Sequence, residues 1–338
     1  LPANVQENLV KLRQLGTTPL KVSTVGLGCN NFGLRIDAEA ARPVIHKALD
    51  LGITFFDTAD VYGHRGGSET CLGQCLGARR KDIVIASKFG NAMDDSGAMK
   101  GASRRYILSA VEASLKRLRT DWIDIYQLHR YDPATPLEET LHALDDLLKQ
   151  GKIRYIGISS IPARQLVDIQ RSAKHHGCHP LTTCEIEYSL LARDPERELI
   201  PAMQAHGVAL LPYYPLASGF LTGKYQRNTP KPEGARLTKG KRYEEMFMTD
   251  ANWTRVEQLE AFCKQHGRTL LELAFSWLAA QPVVASVIAG ATRPEQLEAN
   301  VRAADWELTA QELAEIDRIT RAGYSGTHYL RQGQSGQA

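Results

Sequence analysis

IVIASK (83–88), RRYILSAVEASLKRL (104–118) and IDIYQL (123–128) decide the fold of this chain. The outer two runs are short and apolar, as buried strands are. The middle one places Ile107, Ala110, Val111, Leu115 and Leu118 at the i, i+3, i+4 spacing of a helix with one apolar face. Strand, helix and strand in succession build a parallel α/β sheet. Working outward, the unit recurs. Strands are predicted at 25–29, 54–57, 83–88, 123–128, 153–158, 182–187, 208–212 and 285–289. Helices are predicted at 38–51, 68–78, 104–118, 137–150, 162–176, 194–206 and 269–280, with Gly52, Gly151, Gly177 and Gly207 where left-handed caps belong. Eight βα units with no change of composition between them predict an α/β fold of the (β/α)8 barrel type. The expectation is one domain over residues 1–338, with a core at about 13–320 and a polar tail at 322–338. LRQLGTTPLKVS (12–23) reads as a β-hairpin ahead of the first barrel strand, placed to plug the bottom.

Composition narrows the function. Forty-one Lys and Arg against 38 Asp and Glu leave +3, too small a surplus for a nucleic-acid or membrane-surface binder, so a small-molecule partner is expected. Six dispersed cysteines fit a reducing compartment better than a disulfide scaffold. No run approaches the ~18 apolar residues of a membrane span, and the first residues hold no apolar signal core, so a cytoplasmic location is expected. Oligomeric state is not legible in one chain.

Several motifs exclude themselves. VGLGCNNFG (25–33) lacks the glycine spacing of a Rossmann turn, and there is no P-loop, zincin or nucleophile-elbow motif. Cys71 and Cys75 lie beside Leu72 and Leu76 and read as core. The run His175, His176, Gly177, Cys178, His179 falls at a helix-to-strand turn, the stability face of a barrel, so no metal is expected. Residues 224–250 form a long basic excursion carrying Lys224, Arg227, Lys231, Arg236, Lys239, Lys241 and Arg242, read either as a phosphate-binding lid or as a solvated loop.

The informative residues are those at strand ends. Asp57 closes the second strand, Lys88 the third, and His129 follows the fourth; Tyr62 lies five residues past Asp57. On a barrel these converge at the C-terminal mouth, where catalytic groups collect. A phenol can donate a proton to a developing alkoxide if the phenolate left behind is stabilised. Lys88 would stabilise it, Asp57 would hold the lysine charged, and His129 would orient a carbonyl. Carbonyl reduction is the natural reaction, and it needs a hydride source.

LRQLGTTPLKVSTVGLG (12–28), GITFFDTADVYG (52–63), SKFG (87–90), IDIYQLH (123–129), GKIRYIGISS (151–160), EIEYSLLAR (185–193), PLASGFLTGKY (215–225) and VIAGATRPEQLEAN (287–300) together resemble the aldo-keto reductase superfamily. The likeness runs from about residue 13 to 320, in the family's order and spacing, and includes the potassium channel β-subunit-like members. It implies a (β/α)8 barrel that takes NADP(H) without a Rossmann domain, with Asp57, Tyr62, Lys88 and His129 as the catalytic tetrad and Tyr62 as proton donor. Carried over by position, it implies cofactor contacts at Cys29, Asn30 and Asp57 and, for the nicotinamide, at Ser159, Ser160, Glu185 and Tyr213. Leu216, Ser218, Gly219, Leu221 and Lys224 match the pyrophosphate segment; Gly290, Thr292, Arg293, Gln296 and Asn300 match the adenosine 2′-phosphate segment. A guanidinium at Arg293 takes a phosphate dianion bidentately, which favours NADPH over NADH.

This chain departs from the family at three places. Ser159-Ser160 replaces the more frequent Ser-Asn or Ser-Arg, Glu185 stands where Gln is common, and Cys29-Asn30 replaces Thr and an aromatic. A carboxylate at 185 accepts hydrogen bonds but, while ionised, cannot donate them. The resemblance implies an NADPH-dependent aldehyde or ketone reductase. The alternatives are a regulatory subunit of the channel type, against which His129 argues, and an NAD(P)-dependent aldose dehydrogenase. Substrate identity stays open: Met93, Met99 and Tyr131 suit hydrophobic aldehydes, whereas Arg104, Arg105 and Arg130 suit acidic ones.

Overall fold

The computed structural model describes residues 10–238 and 241–321. Two short antiparallel strands come first, β1 (Leu12–Gln14) and β2 (Lys21–Ser23), with Arg13 opposite Val22. Eight parallel strands follow: β3 (Val25–Gly28), β4 (Phe55–Asp57), β5 (Val84–Phe89), β6 (Ile123–Leu128), β7 (Ile153–Ser159), β8 (Thr183–Glu187), β9 (Ala209–Tyr213) and β10 (Val287–Gly290). Their order in the sheet is the chain order, with β10 paired to β3. Leu210 N donates to Val283 O at 2.8 Å and Ala285 N to Leu210 O at 3.0 Å, which links β9 to the segment entering β10 and brings the sheet round into a barrel.

The helices are α1 (Ala38–Asp50), α2 (Tyr62–Leu76), α3 (Arg104–Leu118), α4 (Leu137–Lys149), α5 (Ala163–His176), α6 (Leu199–Ala205), α7 (Lys241–Phe247), α8 (Asp250–Gln265), α9 (Leu270–Ala279), α10 (Pro294–Ala303) and α11 (Ala310–Arg321). Local chemistry fixes their starts: the side chains of Asp37, Ser103 and Thr269 accept from the first-turn amides of α1, α3 and α9. On α3 the five apolar positions named above are all buried.

Each predicted strand is present, its ends shifted by at most two residues. Three segments differ from expectation. Residues 194–206 are a 3-10 turn (Asp194–Glu196) and then α6, because Pro201 fits only the first turn of a helix and forces a restart. The excursion 224–250 is not all loop, since it carries a turn at Arg236–Thr238 and α7. In α2, residues 63–66 are left-handed, with φ of 69, 58, 68 and 114°, so regular helix starts after Gly66. Gly63 is required there: a Cβ would lie 2.4 Å from Phe32 O. The polar tail 322–338 and Lys239 lie outside the described residues.

Strand residues divide between two apolar clusters. Leu27, Phe56, Ile85 and Ile156 pack outward against the helices. Phe55, Ala86, Ile125, Ala209 and Leu211 fill the interior together with Leu15 and Val22 of the hairpin, both fully buried. The hairpin is therefore a plug, and Arg13 pins it by donating to Ala279 O (2.7 Å) and Val284 O (2.6 Å). Leu15→Ala is expected to cost ~2–5 kcal/mol through the cavity it opens. Urea denaturation checks this, and a loss below ~1 kcal/mol would mean that the bottom closes without that side chain.

Candidate active site

The C-terminal ends of the barrel strands carry the polar groups. Asp57 ends β4, Lys88 lies one residue before the end of β5, and Ser159, Tyr213 and Gly290 end β7, β9 and β10. Lys88 is fully buried, and its Nζ is the hub. It donates to Asp57 Oδ1 at 2.6 Å, Asp57 Oδ2 at 2.8 Å and Thr58 O at 3.1 Å, and stands 3.4 Å from the Tyr62 hydroxyl. Glu185 Oε2 completes the shell at 3.1 Å. The Tyr62 ring meets the His129 ring edge to face, with centroids 5.7 Å apart, and His129 N is anchored on Phe89 O at 2.8 Å. The structure thus brings together the four residues expected at the mouth.

Burial and charge set the protonation of this group. Burial opposes the charge of Lys88, but Asp57 and Glu185 outweigh it and hold its pKa well above the ordinary lysine value. Burial, and then Glu185, push the Asp57 carboxyl up to about 8 against the pull of Lys88. Burial also raises the Tyr62 phenol, countered by Lys88, so the hydroxyl keeps its proton at neutral pH. Burial, Lys88 and Arg130 together lower His129 well below its ordinary value of 6.5. The unfolded chain protonates His129 near that value and the folded chain does not, so between the two values the unfolded state binds more protons. The stability from a neutral His129 is present above pH 6.5 and is lost as pH falls. From about pH 7 to about pH 5, His129→Gln should lose less urea resistance than the unsubstituted protein; equal slopes would mean that His129 titrates normally.

Sequence reading missed the groups behind Glu185. Gln127 Nε2 donates to Glu185 Oε2 at 3.0 Å, and Thr183 Oγ1 donates to Gln127 Oε1 at 3.0 Å. Their signal was present in the sequence: Gln127 and Thr183 are polar residues on strands that a barrel buries on both faces. Gly157 lies between them in register, and a Cβ there would come 2.3 Å from Thr183 Oγ1 and 2.7 Å from Gln127 Oε1. The bare glycine is what lets this side-chain chain cross β7.

Among the remaining expected contacts, Ser159, Tyr213 and Gly290 end strands at the same end of the barrel. Ser159 Oγ lies 3.2 Å from Ser160 Oγ, which lies 3.3 Å from the Tyr213 hydroxyl. Asn30 Oδ1 is buried with no hydrogen-bond partner among the described residues, as is Ser218 Oγ. A Cβ on Gly290 would lie 3.4 Å from Asn30 Oδ1. Leu216 is half-buried; after it Ala217, Ser218 and Gly219 are left-handed in succession, with φ of 45, 58 and 97°. Lys224 Nζ is 3.2 Å from where a Cβ on Gly219 would stand, and among the described residues no carboxylate pairs with it. At the start of α10, Gln296 Oε1 accepts from Thr292 N (2.7 Å) and Arg293 N (3.2 Å), while the Arg293 side chain is exposed and Asn300 is buried. Two positions face the core: Cys29 is fully buried, its thiol directed to Leu27 O, and Leu221 is fully buried as well.

In the basic excursion two of the described cations meet carboxylates and a third meets an aromatic ring. Arg227 pairs with Glu257, Lys231 pairs with Glu244, and the Arg236 guanidinium lies 5.5 Å from the Tyr214 ring centre. Cys71 and Cys75 are buried in the core, as expected. In the histidine run only His176 joins a group of metal-ligand type, with Glu138 and His142, on the outer helices α4 and α5.

A family model described as "Aldo/keto reductase family" matches residues 24–321. The chain is 36% identical over 305 residues to the "Probable voltage-gated potassium channel subunit beta" of Arabidopsis thaliana, covering 88% of this chain and 92% of that protein. It is also 36% identical over 322 residues to the "L-glyceraldehyde 3-phosphate reductase" of Escherichia coli K12, covering 91% and 92%. A third relative, "Probable aldo-keto reductase 1" of Glycine max, is 36% identical over 310 residues, covering 90% and 87%.

Proposed function

This chain belongs to the aldo/keto reductase family and is an oxidoreductase, and from that premise we propose that it reduces aldehydes or ketones to alcohols with NADPH. The observation that carries this reading is the Tyr62 hydroxyl held 3.4 Å from an ammonium that Asp57 clamps at 2.6 and 2.8 Å. Tyr62 gives its proton to the carbonyl oxygen as negative charge develops there, and Lys88 stabilises the phenolate left behind. Asp57 keeps Lys88 charged and in place. Neutral His129 offers a ring N–H to the carbonyl oxygen and so orients the substrate.

When bound, a nicotinamide cofactor supplies the hydride. The chain has fitting groups for it: buried polar atoms at Asn30 and Ser218 that have no partner among the described residues, and a left-handed turn at 217–219. Lys224 and the exposed Arg293 supply positive charge for phosphates. Cys29 and Leu221, fully buried in the core, offer the cofactor no side chain. All six cysteines are free and buried, which supports a reducing, cytoplasmic setting. Among the described residues no helix is long and apolar enough to cross a membrane.

The test is oxidation of NADPH and of NADH, followed by absorbance, against aromatic, aliphatic, dicarbonyl and sugar aldehydes. Turnover is expected with NADPH. Arg293→Ala is expected to weaken NADPH binding about tenfold or more and NADH binding little, since a charge-assisted bidentate contact is worth ~1.5–3 kcal/mol. Tight NADPH binding with no turnover across the panel would move the assignment to the regulatory reading, which the potassium channel relative keeps in view. Strong aldose oxidation with NAD⁺ would move it to a dehydrogenase.

A further inference from the structure

Lys88 has two carboxylates on it. Asp57 would suffice to hold the ammonium, yet Glu185 Oε2 also lies 3.1 Å from Nζ, and Glu185 is only 3% exposed. Gln127 fixes its acceptor role: with Thr183 donating to the amide oxygen, the NH₂ of Gln127 turns to Glu185. The other titratable groups around this point are Tyr62 and His129, both neutral near pH 7, and Asp60 and Cys29, whose carboxyl and thiol burial raises, with Tyr213, Cys184 and Glu187 beyond them and Arg130 on the rim. With both carboxyls ionised, the buried hub would carry two anions and one cation. It would be one positive charge short, and an unpaired buried charge is costly.

We propose that this vacancy of charge is filled either by a proton on Asp57 or by the cationic ring of an oxidised nicotinamide, so that the Glu185 carboxylate biases the site toward the oxidised cofactor. The inference rests on the cofactor reading above. The reduced ring is neutral and leaves the proton where it is; the oxidised ring displaces it. Binding of the oxidised form is thereby linked to release of one proton, and binding of the reduced form is not. Glu185 acts here as a positioning and charge-setting residue.

The experiment is calorimetric titration of NADP⁺ and NADPH into the full chain at several values between about pH 6 and about pH 8, with Glu185→Gln and Glu185→Asp alongside. The ratio of the two dissociation constants is the readout, because titration of the 2′-phosphate is common to both ligands and cancels. In the unsubstituted protein, preference for NADP⁺ should rise by nearly tenfold per pH unit at the acid end of this range and level off toward about pH 8. Proton release should also show as a dependence of the binding heat on buffer. Glu185→Gln should lose both effects, and Glu185→Asp, which keeps a carboxylate, should retain them; thermal melts confirm that each variant is folded. A pH-independent ratio in the unsubstituted protein, or an unchanged slope in folded Glu185→Gln, overturns the inference while the cofactor reading stands. Binding of neither ligand overturns both.

Discussion

Tyr62→Phe is expected to lower kcat by roughly 10²–10⁴-fold, the range for loss of a positioned general acid, while the dissociation constant of NADPH stays within about twofold. The substitution removes one oxygen and leaves the ring, so the edge-to-face contact with His129 at 5.7 Å survives. Lys88 keeps its bonds to Asp57 and Thr58 and loses only the longest contact of its shell, at 3.4 Å. Stability should therefore change little, and the loss should fall on kcat rather than on KM. Turnover within tenfold of the unsubstituted protein would remove Tyr62 from the role of proton donor.

Lys88→Met is expected to have the largest effect on the fold itself. The side chain is of similar length, but removing the ammonium leaves Asp57 and Glu185 buried beside each other with no counter-charge. Breaking a buried pair in this way costs about 3–5 kcal/mol. The sign of its pH dependence follows from burial: without Lys88 both carboxyls gain protons in the folded state that the unfolded chain does not hold. The variant's stability is then greatest at low pH and is lost as pH rises. Urea midpoints for the variant and the unsubstituted protein at about pH 6 and about pH 8 check this, and a deficit that shrank on going to pH 8 would contradict it. Turnover should fall too, since the phenolate loses its stabilising cation.

Periodicity made the barrel legible because β-branched strands and one-faced helices obey local spacing rules that hold whatever the tertiary context. The helix at 104–118 was readable to the residue because Ser103 caps it and its apolar stripe is unbroken. Local rules fail where context decides. Proline at 201 split a helix that its apolar residues alone would join, and α7 forms inside a stretch whose Pro and Gly content reads as loop. The mouth was legible in Asp57, Lys88 and His129 because a charge at the end of an apolar strand is conspicuous. Gln127, Thr183 and Gly157 were not, because their role exists only across three neighbouring strands. Glu185 was visible as a departure from the family resemblance, but its place on Lys88 emerged only from the closed sheet.

The hairpin at the bottom of the barrel governs traffic as well as stability. With Leu15 and Val22 closing one end and Phe55, Ile125 and Leu211 filling the interior, a ligand reaches Tyr62 only from the opposite mouth. Two ligands that share one doorway cannot pass each other. On the proposed cofactor reading, the one seated deeper must arrive first and depart last, so the kinetics should be ordered.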